Sequence, residues 1–281
     1  MTVAVELMLW PILTCLVLTG IHVYFGSHVI RRGVIFVDLS LAQVAAFGST
    51  LAFLLGIGPD STLSYLLSLG FALIGAFVFA LARNRERDIP QEAVIGIVYA
   101  VATAASVLAV ARQPEGAEHI KALLVGSILT VTPATVLKTA VIYALIGLLH
   151  WLWRRPLWSI TEDPDDARRR GLPIRLWDFL FYGTFAVVVT SSVKIVGVLL
   201  VFSLLVVPGA AAILVVKGRR QRLAFGWTFG FLVCVVGMLI SFVADRPPGA
   251  TIVTAFGAAL LLTWMASVII GRFLSRESLR N

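Results

Sequence analysis

Residues 176–216 read LWDFLFYGTFAVVVTSSVKIVGVLLVFSLLVVPGAAAILVV, and only Asp178 and Lys194 carry charge in that run. A single helix of this length, at about 1.5 Å per residue, would be roughly twice as long as the ~30 Å hydrocarbon core of a bilayer. The run therefore reads as two short spans, 176–192 and 195–216. Val193 and Lys194 join them in a turn that dips into the protein.

The rest of the chain has the same character. Of 281 residues, 59% are hydrophobic and 14% charged, and the mean hydropathy is +0.96, against about a quarter charged in ordinary globular chains. Apolar runs near 7–26, 34–56, 62–82, 92–111, 134–153, 223–244 and 250–271 add seven further spans. The expectation is an all-α polytopic transmembrane helical bundle of about nine spans, with eight to ten compatible with the run boundaries. The stretch from Ile120 to Val131 is too short to cross and reads as an interfacial or re-entrant piece. Little chain remains for a soluble domain, so a water-soluble enzyme, a nucleic-acid-binding module and a disulfide-stapled secreted domain are excluded. The net charge of +8 then belongs to loops facing anionic lipid and to topology signals. Cys15 and Cys234 are isolated in apolar runs and form neither a disulfide framework nor a ligand pattern. Glu6 is the only charge before Arg31, so the first run lacks the basic flank of a cleavable signal and is expected to stay in the mature protein.

Nine spans with the N-terminus outside and the C-terminus in the cytoplasm place eighteen basic residues inside. They are Arg31 and Arg32; Arg83, Arg85 and Arg87; Arg154, Arg155, Arg168, Arg169, Arg170 and Arg175; Lys217, Arg219, Arg220 and Arg222; and Arg272, Arg276 and Arg280. Four lie outside, Arg112, Lys121, Lys194 and Arg246, with Lys138 inside a span. This asymmetry selects the orientation. The cytoplasmic loop 154–175 holds a short helix with Asp163 as N-cap, Pro164 at its first position, acids Asp165 and Asp166, bases Arg168 to Arg170, and Gly171 and Pro173 as stops. Its role is either a solvated surface helix or a docking element.

No phosphate-binding loop occurs, since none of the lysines, at 121, 138, 194 and 217, follows a glycine. The chain also lacks H-E-x-x-H, G-x-S-x-G and any Cys/His cluster, so ATP hydrolysis and intramembrane hydrolase chemistry have no foundation. What remains is a sparse set of ionisable groups at lipid depth. Asp38 lies about 6 Å into the second span on a face with Ala42, Ala45 and Ser49. It is either functional or paired with Arg31 or Arg32. Gln43 lies deeper, about 140° round the helix from Asp38, and Glu92 reads as a first-turn acid of the fourth span. His22 and His28 are either ligands or packed residues. Glu115, Glu118 and His119 form an outer acidic patch that either receives a cation or is simply solvated. Lys194 reads as a gate, a snorkelling side chain or a contact for an outer partner.

From Arg31 to about Trp264 the chain resembles the permease subunits of metal-cation ABC importers, which handle zinc, manganese and in some members iron. The strongest match is Val196 to Ala212, VGVLLVFSLLVVPGAAA, which is similar to the family's V-G-V-L-L-V-x-A-L-L-I-I-P-A-A-x-A signature. Arg31-Arg32, Gly96 to Tyr99, Gly126 to Leu129 and Gly171 to Pro173 match in order. The resemblance implies that residues 1–281 form a single transmembrane permease domain of the inner membrane with no tightly bound cofactor, carrying a divalent metal ion by alternating access. It also implies a permease homodimer, a separate ATP-binding subunit, and a periplasmic or lipoprotein metal-binding protein. Residues 205–222 become the candidate coupling segment, with Pro208, Gly209, Lys217, Arg219, Arg220 and Arg222 toward the ATPase. Asp38 and Gln43 become the candidate transient metal ligands. The family often reads G-D-A-L-S-H-A where this chain has Val37 to Gln43, so Ala42 stands at a histidine position. Losing that imidazole favours ions that prefer oxygen. The alternative class, an ion-coupled secondary carrier, would show paired broken helices in repeated halves, a pattern this sequence does not display.

Overall fold

A computed structural model describes residues 2–59, 61–83, 89–126 and 128–278, with side chains from Met8 to Ile269. Arg85, Arg87, Ser127 and Arg280, and the side chains of Glu6, Arg272 and Arg276, lie outside the described residues. Eleven α-helices follow in order: α1 (Thr2–Arg32), α2 (Val37–Leu54), α3 (Thr62–Ala82), α4 (Gln91–Val110), α5 (Gly116–Val125), α6 (Pro133–Leu152), α7 (Arg154–Glu162), α8 (Pro164–Arg169), α9 (Ile174–Val215), α10 (Arg219–Ala244) and α11 (Pro248–Ser278). A 3-10 turn, Ile128–Thr130, stands between α5 and α6.

Among the described residues, eight helices are long and apolar enough to cross a membrane, one fewer than the nine spans expected. The difference lies in α9. It continues as helix through Val193 and Lys194, where the turn was expected, and breaks instead at Gly197, with φ 78° and ψ 164°. Positive φ costs a side-chain-bearing residue contact with its own backbone, so the reversal settles on the glycine. The two arms of α9 run in opposite directions, as their contacts along α1 show. In the first arm, Asp178 meets Arg32 and Phe185 stacks on Phe25 at 4.7 Å, antiparallel to α1. In the second, Leu205 backs Gly26 and Gly209 faces Ile30, parallel to α1. One helix by assignment is thus a hairpin that crosses twice, and it occupies the centre of the bundle.

Local chemistry sets the other boundaries. Ser61 caps α3 by accepting from the Ser64 N–H at 3.1 Å. Thr132 caps α6 ahead of Pro133, and the Asp163 carboxylate accepts from the N–H groups of Asp165 and Asp166 to start α8. The capped helix read in loop 154–175 is therefore present, preceded by α7. The Ile120 to Val131 stretch forms the end of α5 and the 3-10 turn. It packs on the hairpin tip, where Gly126 and Gly197 lie so close that a Cβ on either would run into the other's backbone.

At the opposite end, which we call the basic end, a buried ionic cluster ties four helices. Asp178 is fully buried, and its Oδ1 accepts from Arg32 at 2.8 Å and from Arg83 at 2.7 Å. Arg32 lies over the Phe181 ring at 4.1 Å, and its Nε donates to Thr161 Oγ1 at 2.9 Å. The Thr161 hydroxyl donates in turn to the Leu157 carbonyl, so His28 Nδ1, 2.8 Å away, must be the donor to that oxygen. Arg83 also donates to the Ile160 carbonyl. In lipid a charge must bring its partner with it, and this cluster fixes α1, α3 and α7 against the first arm of α9.

Removing Asp178 while leaving both arginines strands buried positive charge, at a cost of about 3–5 kcal/mol. We expect Asp178→Ala to reduce membrane abundance several-fold and Asp178→Asn, which keeps an acceptor, to do so less. Equal abundance of the wild-type protein and Asp178→Ala in membrane fractions would show that the cluster does not hold the bundle.

Candidate metal pathway

Asp38 occupies the first turn of α2, only 1% exposed, and neither carboxylate oxygen has a hydrogen-bond partner. The pairing with Arg31 or Arg32 allowed by the sequence does not occur. Arg32 is taken by Asp178 and Arg31 by Glu162 at 3.7 Å. The role of buried counter-ion falls to Asp178, which the sequence reading passed over. Its signal was present, an acid inside an apolar run close to an arginine-rich loop, but the arginines that pair with it are distant in sequence. Glu92 is the first-turn acid of α4 as expected, and its Oε1 also accepts from the Phe36 N–H at 3.1 Å, next to the start of α2. Gln43 is buried on α2.

The helical stripe that carries Asp38 leads toward the other end of the bundle. Ala45 and Ser49, on that stripe, line a cavity of about 280 Å³ together with Ser64 and Ser68 of α3, Thr190 of α9 and His119 of α5. Lys194 stands at its wall as well. From Ala45 to Asp38 the helix rises about 10 Å, and Asp38 does not line the cavity. His119 stacks on Phe53 at 4.6 Å, with Nε2 3.5 Å from Thr50 Oγ1. Burial lowers its pKa below the ordinary histidine value, so near neutral pH the ring is uncharged and keeps a lone pair. Glu115 and Glu118 join His119 around an adjacent pocket of about 240 Å³. The acidic patch read as an outer loop is thus the start of α5 beside the cavity.

Among the described residues no three His, Cys, Asp or Glu side chains converge on one point. The arrangement is a cavity with polar lining and, about two turns along α2, one carboxyl group without a hydrogen-bond partner, and the described residues form no closed cation cage. His22 and His28 are packed residues of α1. Nδ1 of His22 donates to the Leu18 carbonyl at 2.8 Å, and His28 lies 4.0 Å from the Trp158 ring within the Thr161 network.

At the basic end the segment 205–222 divides in two. Pro208 is buried with its ring against Gly230 of α10, so it sits inside the bundle, and the half-buried Gly209 faces Ile30 of α1. Lys217, Arg219 and Arg220 are exposed, while Arg222 donates back to the Val216 carbonyl at 2.8 Å. Arg219 reaches Glu162 of α7 at 3.2 Å and lies over Trp158. The loop before α10 and the α7–α8 segment therefore share one basic surface.

The fold is shared with solved transporters. The chain is similar to PsaBC from Streptococcus pneumoniae in complex with Fab, with a TM-score of 0.76 at 21% identity over 92% of this chain and 91% of that one. It also matches an inward-facing conformation of a putative metal-chelate type ABC transporter, with a TM-score of 0.66 at 20% identity over 88% and 83%. In sequence it is 25% identical to the manganese transport system membrane protein MntC of Halalkalibacterium halodurans, over 91% of this chain and 86% of that protein. It is 27% identical to the chelated iron transport system membrane protein YfeD of Yersinia pestis, over 81% and 74%. A membrane protein of Cyanophora paradoxa from the ycf23-apcF intergenic region is 32% identical over 65% of this chain and 62% of its own length. The model of the ABC 3 transport family matches residues 4–267, and the chain belongs to that family.

Proposed function

We propose that this chain is the membrane permease through which an ATP-driven importer moves a divalent metal ion, the ATP being hydrolysed by a separate subunit. The observation that carries the reading is the buried Asp38 carboxylate with both oxygens unpartnered, on a stripe that opens into a polar cavity. An ionised carboxylate costs several kcal/mol at that depth unless a cation meets it. With Ala42 in place of an imidazole, Asp38 and the amide oxygen of Gln43 offer hard oxygen ligands, which favour manganese or ferrous iron over zinc. The names of the manganese and iron relatives agree with that preference.

The surplus of basic residues at the end carrying Arg31, Arg83 and Arg219 supports a cytoplasmic placement for that end, with the N-terminus outside and the C-terminus inside. The α5 end then receives the ion from a periplasmic or lipoprotein metal-binding protein. The ATPase docks on the surface that Lys217, Arg219 and Arg220 share with α7 and α8. Pro208 and Gly209 act behind that surface, transmitting movement through the α1 and α10 contacts. A second copy completes the pathway as a homodimer.

Uptake of radioactive manganese, iron and zinc, measured with membrane abundance on the same cells, tests the site. Asp38→Asn is expected to abolish uptake with the complex still assembled, and Gln43→Ala to reduce it by a fewfold. Full uptake by Asp38→Asn removes that carboxylate from the pathway, and parallel loss of abundance makes its role structural. Orientation is checked by cysteine labelling: positions 159 and 220 should be reachable from the cytoplasm and 115 and 247 from outside. Gly209→Leu, which would press Ile30 away from α9, should lower transport-coupled ATP hydrolysis in reconstituted complexes without lowering insertion. Unchanged coupling would remove this contact from the transmission route.

A further inference from the structure

A groove of about 760 Å³ lies between α1, α6 and α10, apart from the cavity beneath α5. Its floor is apolar and narrow-chained, with Gly20 on α1 and Ala140, Ala144 and Gly147 on α6. Beyond their own helix backbone and chain neighbours, no atom lies within 4 Å of where a Cβ on Gly20 or Gly147 would stand. From Ala140 to Leu152, where α6 ends, the wall is about 18 Å long, more than the ~15 Å of hydrocarbon in one leaflet.

Tyr24, Tyr143 and His150 also line the groove, but its charged residues lie only at its basic end. Arg154, Arg219 and Arg220 stand there, and no acidic residue lines it. Arg154 lies over the Trp151 ring at 4.6 Å and Arg219 over Trp158 at 4.4 Å. Arg219 is shared with Glu162 outside the groove at 3.2 Å. Trp227 closes the α10 side, donating from Nε1 to the Gly20 carbonyl at 3.0 Å. Tryptophans such as Trp151 and Trp158 mark the headgroup region; Arg154 gives one N–H to the Trp151 carbonyl at 2.8 Å, and the guanidinium groups over these rings keep further N–H donors for a phosphate.

We infer that the α1–α6–α10 groove is a binding site for an anionic glycerophospholipid, with one acyl chain against Gly20, Ala144 and Gly147 and the phosphate held by Arg154, Arg219 and Arg220. The charge argument separates this occupant from a second copy of the chain. A two-fold contact through this face, with its axis along the membrane normal, would set each arginine group against its own image. A phosphodiester supplies the missing negative charge, and a chain in the groove covers apolar floor that no neighbouring helix covers. The site stands whatever ion the protein carries.

The test is native mass spectrometry of the purified full chain with equal amounts of phosphatidylglycerol and phosphatidylcholine, alongside quenching of tryptophan fluorescence by brominated-chain phosphatidylglycerol. The wild-type protein should retain phosphatidylglycerol over phosphatidylcholine by about tenfold, and Arg154→Gln/Arg220→Gln should lose that preference. Gly147→Leu, which fills the floor, should lose both lipids and most of the quenching while reaching the membrane at wild-type abundance. If it fails to reach the membrane, Ala144→Leu on the same wall is read in its place. Equal retention of the two lipids, or retention unchanged in the variants, overturns the assignment. So does competition by sn-glycerol 3-phosphate as effective as that by phosphatidylglycerol, which would make this a site for a soluble phosphate. Conversion of a dimer to monomers by Gly147→Leu with lipid retention unchanged would give the groove to a second copy.

Discussion

A bilayer interior does not solvate charge, and the two buried aspartates answer that constraint in opposite ways. Asp178 shares one oxygen between Arg32 and Arg83, and Arg32 passes the network on to Thr161 and His28. Its negative charge is spent on holding α1, α3, α7 and α9 in one arrangement. Asp38 is as deeply buried and has no partner for either oxygen. Because the nearby arginines are already engaged, its carboxyl group is left without an ion-pair partner. The structural ion pair thus makes the transport reading of the second aspartate physically coherent.

The opposite end depends on a constraint of shape. The α9 hairpin reverses at Gly197, against Gly126 at the end of α5, and α11 approaches the same point through Gly249, where a Cβ would meet the Val125 carbonyl. Three chain segments meet where only glycine leaves room. This holds α5 across the mouth of the bundle and brings His119 beside Ser49, Ser64 and Thr190. A short helix is thus secured at one end by backbone contact and lies beside the cavity.

Arg219 links the remaining two surfaces. It pairs with Glu162 of α7, stacks on Trp158 and borders the lipid groove. Exposed pairs contribute little stability, so its importance is one of position. A movement of α7 and α8 under a docked ATPase would be felt at the start of α10 and at the groove mouth together.

Hydropathy alone determined the helical class, the membrane location and most span boundaries, because the cost of burying a peptide group or a charge in lipid is paid locally, residue by residue. The α8 cap and stop were equally legible, since Asp163, Pro164 and Gly171 act within one turn of their own position. The place where the central run reverses was not legible, because Val193 and Lys194 are as compatible with a turn as with a helix. Gly197 prevails through its contact with Gly126, which lies on α5. Which aspartate is paired was also beyond the sequence. Arg32, Arg83 and Asp178 are far apart in the chain, and Coulomb energy depends on distance in space, so only the packing of α1 and α3 on α9 decided that Asp178 is paired and Asp38 is not.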